Sequence, residues 1–172
     1  MKRQIFKLAV MIGIFLILFG CGGTTKTVVV KETPDPCKDA EAHFRQALTY
    51  SQNKDYNNGE LEFLKAIELC PNYTEAHANL GVLYIQMNAL NKAESSLQRA
   101  VELNPRDPFA LYNLTVLYSL TNKLDLALDT LDDALENGFN DINALRNDPD
   151  LKNVRREPGF TQILEKHHIF LK

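Results

Sequence analysis

Four histidines and three cysteines are the side chains of this 172-residue chain best suited to metal or redox chemistry. His43 and His77 recur 34 residues apart in similar surroundings, a spacing that points to equivalent packing positions facing a packed interior. His167 and His168 are adjacent, so on a helix they point about 100° apart and do not share one ion easily. The chain contains no His-Glu-x-x-His run, no Cys-x-x-Cys pair and no clustered Asp/Glu/His motif of metal-ligand spacing. Serines and threonines occur without a nucleophile-elbow pattern, and no glycine-rich loop is present to cradle a phosphate. These patterns predict no catalytic residue, no metal site and no cofactor. A net charge of -3 gives no electrostatic reason to expect nucleic acid as a partner.

Cys21 stands in a different context from Cys37 and Cys70. It follows an N-terminal stretch in which Lys2, Arg3 and Lys7 precede an apolar run from Leu8 to Phe19, broken only by Gly13. That run is shorter than the roughly 20 apolar residues needed to cross a bilayer and has the length of a secretory signal core. Leu18-Phe19-Gly20-Cys21 resembles a bacterial lipobox, with Phe19 bulkier than the usual residue there. The resemblance implies cleavage before Cys21 and lipidation of that cysteine. Removing residues 1–20 takes away three positive charges and leaves the mature chain at -6. Such a chain is not drawn to anionic lipid, so the acyl chains would have to hold it there, each buried methylene contributing about 0.8 kcal/mol. Residues 22–36, GGTTKTVVVKETPDP, read as a tether. A flexible segment of that length spans about 20 Å on average and at most about 50 Å.

The elements that position everything else repeat. Ala40–Tyr73, Thr74–Asp107 and Pro108–Asp141 align as three blocks of 34 residues. Tyr50, Tyr84 and Tyr118 share the eleventh position; Gly59, Ala93 and Ala127 the twentieth; Phe63, Leu97 and Leu131 the twenty-fourth; Ala66, Ala100 and Ala134 the twenty-seventh. Pro71 and Pro105 share the thirty-second, where the third block has Phe139 after Gly138. Each block splits into two helical stretches around a short polar break. Small residues let the two helices approach closely, large ones fill the space between pairs, and proline stops the second helix. This pattern resembles the tetratricopeptide repeat. His43, His77 and Leu111 depart from it at the fourth position, where a large aromatic is usual.

The resemblance implies an all-α, right-handed α-solenoid of three helix–turn–helix repeats. Residues 142–172 read as a helical cap, with Phe160, Ile163 and Leu164 covering the last repeat. Within the first block, Cys37 precedes the first helix and Cys70 ends the second, so an antiparallel hairpin brings them to one end. A disulfide there would suit an exported protein; two unpaired thiols, with Cys70 buried, is the other reading.

By the same resemblance, the first helix of each block lines an inner groove. The inward positions hold Phe44, Arg45 and Leu48; Asn79, Val82 and Ile85; and Phe109, Tyr112, Asn113 and Val116. Aromatic anchors beside amides suit an extended or helical peptide, although some of these residues could instead pack within their own block. Relatives that clamp a C-terminal carboxylate do so with Lys and Arg; the matching positions here hold Phe44, Leu48, Asn79, Phe109 and Asn113, and only Asn79 agrees. The expected function is therefore a lipid-anchored interaction scaffold in the bacterial envelope, at the periplasmic face of the outer membrane, holding a protein or peptide partner. Self-association of a structural lipoprotein is the competing expectation.

Overall fold

The computed structural model describes residues 36–171. The signal segment, Cys21 and all of the tether but Pro36 lie outside them. Six helices form three consecutive pairs: α1 (Pro36–Gln52) with α2 (Tyr56–Leu69), α3 (Thr74–Gln86) with α4 (Leu90–Leu103), and α5 (Pro108–Leu120) with α6 (Leu124–Glu136). A short α7 (Ile142–Asn147), two 3-10 turns (Pro149–Lys152 and Val154–Arg156) and α8 (Pro158–Lys166) follow. The described chain is an all-α solenoid of helical pairs.

Each pair turns back on itself through the same device. Lys54, Asn88 and Asn122, all at the fifteenth position of their blocks, take positive φ values of 60°, 56° and 57°. The next amide then reaches back to the carbonyl of the recurring tyrosine: Asp55 N to Tyr50 O at 2.9 Å, Ala89 N to Tyr84 O and Lys123 N to Tyr118 O at 2.8 Å. This left-handed cap satisfies carbonyls that a helix end leaves bare, and asparagine tolerates the conformation well. Asp55 and Asp107 cap the amino ends of α2 and α5 by accepting backbone N–H groups.

The small and large positions of the repeat pack as their sizes require. Ala93, Ala127, Ala66, Ala100 and Ala134 are fully buried, as are Leu97 and Leu131, with Phe63 at 1% exposure. At Gly81 a side chain has no room, since an added Cβ would fall 2.5 Å from Leu97 Cγ. The pairs are also stapled to one another. Tyr84 Oη donates to Glu60 Oε1 at 2.7 Å, and Lys92 Nζ binds the same oxygen at 3.0 Å while lying over the Tyr84 ring. One repeat later, Lys123 Nζ binds Glu94 at 2.7 Å and lies over Tyr118.

The C-terminal segment closes the third pair. Phe160 and Leu164 are buried, and Ile163 is half-buried. Leu145, Leu151 and Val154 are fully buried as well, so the 3-10 turns contribute as much of the closure as α8 does. Gly138, at a φ of 98°, ends α6 and turns Phe139 back onto the array. Phe139 stacks on Tyr112 with centroids 4.2 Å apart and planes 8° from parallel.

Candidate partner-binding groove

The inner helices α1, α3 and α5 place the sequence-predicted groove residues on neighbouring elements, but they do not leave them equally open. Leu48, Asn79 and Val82 meet across α1 and α3. With Ser51, Gln52, Phe63, Leu83 and Gln86 they line a shallow cavity of about 180 Å³. Every one of these side chains is uncharged. Asn79 Nδ2 already donates one hydrogen to the Glu75 carbonyl at 2.8 Å, which leaves its second N–H and its carbonyl oxygen to offer a ligand. Phe44 is half-buried against Phe63 and Tyr73, at ring distances of 5.9 and 5.0 Å, and serves packing within its own block. Arg45 is exposed and donates to Glu41, one turn earlier on α1. Ile85 and Asn113 are half-buried, Ile85 against the core.

Phe109 is the large aromatic that the groove edge presents, at 66% exposure. Its edge rests on Phe139 with centroids 5.9 Å apart, so it stands on a stack of three rings ending in Tyr112. Burial pushes the Tyr73 hydroxyl above its ordinary pKa, with Glu75 and Glu41 adding to the effect.

Two expected groove residues are closed off. Tyr112 is 8% exposed and Val116 7%. Tyr112 Oη donates to Asp148 Oδ2 at 2.7 Å, and Phe139 covers its ring. Ser119, one turn past Val116, donates to the Asp150 carbonyl at 2.7 Å, and Asn153 Nδ2 donates back to the Ser119 carbonyl at 2.9 Å. The first 3-10 turn therefore lies along the face of α5 where a partner was expected. The physical reason is the array's end: without a fourth repeat, this face of α5 would leave Tyr112 and Val116 in water. The open groove belongs to the first two pairs and the Phe109 edge.

Four other residues with reactive potential, Cys37, Cys70, His43 and His77, are engaged. Cys37 and Cys70 are joined, with Cα atoms 4.8 Å apart. His43 and His77 are half-buried at the surface rather than enclosed: His43 Nδ1 lies 2.6 Å from buried Glu62, and His77 Nε2 lies 3.0 Å from the Pro71 carbonyl. Sequence reasoning missed one cluster. Asp132 and Glu136 on α6 and His167 after α8 bring their ligand atoms within 4.8 Å of one another. The Lys166 ammonium sits among them, 2.7 Å from both Asp132 Oδ2 and Glu136 Oε1. The group ties α8 to α6 and already holds its cation. The i, i+4 carboxylate pair was the available signal, but nothing local marked His167 as its partner.

The recurrence extends to known proteins. Family models described as the tetratricopeptide repeat match residues 40–73, 74–107 and 96–129. This chain belongs to the tetratricopeptide repeat family. The third match straddles the second and third blocks. No curated protein sequence matches the chain. Among solved structures, it is similar to the first repeat domain of Spaghetti (RPAP3) bound to the HSP90 peptide SRMEEVD, at 17% identity and a TM-score of 0.59, covering 77% of this chain and 92% of that one. It is similar to the Arabidopsis OM64 repeat domain at 10% identity and a TM-score of 0.59, covering 77% and 97%. A chain of the CopN-Scc3 complex aligns at 18% identity and a TM-score of 0.56, covering 76% and 68%. At these identities the likeness is one of fold.

Proposed function

We propose that this protein is a non-catalytic interaction scaffold that holds a polypeptide segment against α1 and α3, with Phe109 as its exposed anchor. The observation that carries this reading is the uncharged cavity between Leu48, Asn79 and Val82, with the large aromatic Phe109 held in the open on the next inner helix. An uncharged floor with amide side chains suits an extended segment bound through its main chain and one or two apolar side chains. Repeats of this family generally serve as protein-interaction modules, and the RPAP3 relative is one bound to a peptide. The floor carries no Lys or Arg to grip a terminal carboxylate, so the segment bound here differs in kind from an acidic C-terminal tail.

The placement is also part of the proposal. Lipid on Cys21 would hold the scaffold at the periplasmic face of a bacterial membrane. Gly22 after the lipidated cysteine favours the outer membrane by analogy with enteric bacteria. Isolation from membranes after crosslinking tests the groove: Leu48→Glu with Phe109→Ala should lose partners that the native chain retains. Equal recovery would refute the site. Fractionation of Cys21→Ser tests the anchor separately; the variant should leave the membrane or accumulate as uncleaved precursor, and native behaviour would refute lipidation.

A further inference from the structure

The three blocks provide an internal standard for which outer-helix positions face water. Positions twenty-two and twenty-five are Ser95 and Gln98 on α4, and Asp129 and Asp132 on α6, all polar. On α2 the same positions are Leu61 and Leu64, 50% and 45% exposed and outside the described hydrophobic clusters. Leu64 lines a groove of about 560 Å³ between α2 and α4, and Leu61 stands one turn before it on α2. Its floor includes Ile67, Leu80 and Tyr84, and its α4 wall carries Lys92 and Arg99. This groove lies on the opposite side of the helical pairs from the cavity between α1 and α3.

The other end of the array carries a surface of matching kind. On α6, Leu126 is 46% exposed, and Asp129 and Asp133 follow at three and seven residues on the same stripe, with Asp125 alongside. Asp132 and Glu136, on the neighbouring face, are both paired with Lys166. Asp125, Asp129 and Asp133 form no ion pair among the described residues. The carboxyl of Asp133 is pushed up by burial and by the negative charges of Glu136, Asp132 and Asp129.

We infer that α6 of a second copy of this chain lies in the groove between α2 and α4, placing Leu126 against Leu61 and Leu64, and Asp129 and Asp133 toward Lys92 and Arg99. Lys92 and Arg99 are paired within the chain to Glu60 and Glu102, but each side chain is partly exposed and keeps further N–H donors for a second carboxylate. The groove belongs to the first and second pairs and the α6 stripe to the third, so one copy cannot satisfy itself. The contact is heterologous and extends head to tail. This inference is independent of the peptide groove.

Two folded variants isolate the two surfaces. Leu61→Ser with Leu64→Gln installs the residues of the second block, and Asp129→Lys with Asp133→Lys inverts the exposed stripe of α6. Light scattering of the full chain in detergent should show native protein mass rising with concentration, while each variant stays monomeric. An equimolar mixture of the two variants should form a dimer and stop there, because each retains one intact surface. The inference fails if the native chain is monomeric throughout, if either variant associates like the native chain, or if the mixture stays monomeric. A photoreactive side chain at position 64 that captures any polypeptide segment other than α6 of another copy would also overturn it.

Discussion

Tyr84 donates its hydroxyl proton to Glu60 of the preceding pair at 2.7 Å, and this bond is the first cause holding the Glu60 carboxyl below its ordinary pKa, with Lys92 contributing further. A depressed carboxyl stabilises the fold above its unfolded pKa, and that stabilisation is lost as pH falls through the lower folded value. Tyr84→Phe should therefore cost about 1.5–3 kcal/mol at neutral pH, the range for a hydrogen bond to a charged group. The difference from native protein should shrink below about pH 4. Urea denaturation across pH measures it, and a penalty independent of pH would assign the loss to packing instead.

Gly81 and Gly138 are both glycine for different reasons, and alanine should separate them. At Gly81 the added Cβ meets Leu97 Cγ at 2.5 Å, so Gly81→Ala should destabilise by about 1–3 kcal/mol, with part of the loss recovered by Leu97→Ala in the same chain. At Gly138 space is open, and Gly138→Ala should cost about 1 kcal/mol from its positive φ alone, with no rescue by repacking. Additive effects of Gly81→Ala and Leu97→Ala would contradict the close approach.

The Cys37–Cys70 bridge closes a sequence separation of 33 residues around the first helical pair. Reduction, or Cys37→Ser with Cys70→Ser, should lower stability by about 3–4 kcal/mol in the chain-entropy model. Thiol titration of the denatured, unreduced protein should find neither cysteine reactive. Two free thiols at these positions would rule the bridge out.

Tyr112 and Asp148 join the third pair to the segment that closes it. Tyr112→Phe should leave the stacked Phe139 in place but cost about 1–2 kcal/mol, and amide exchange should quicken between α7 and α8. Exchange in α1 and α3 should stay native. Uniform acceleration along the whole chain would mean that the third pair and its closure do not open separately from the first two.

The repeat was readable because its constraints are local and recur: the residues at positions twenty, twenty-four and twenty-seven are buried in all three blocks. The Phe109 edge could also be anticipated from the fold. The closure of Tyr112 and Val116 could not, since it depends on Asp148 and Asp150, more than 30 residues away, in 3-10 turns that carry no helical periodicity. Phe139 in place of proline was the available hint that the third block ends differently. The Lys166 cluster escaped notice for a similar reason: His167 gains its meaning only when α8 folds back against α6.

The central claim is that a polypeptide segment occupies the open groove of the first two pairs and touches Phe109. A photoreactive side chain placed at position 109 of the full chain in its native membrane tests it most directly. The groove reading predicts a covalent adduct with another polypeptide that disappears when Val82→Glu puts a charge on the neutral floor, while circular dichroism of the variant stays native. No adduct, or an adduct unchanged by Val82→Glu, would contradict it.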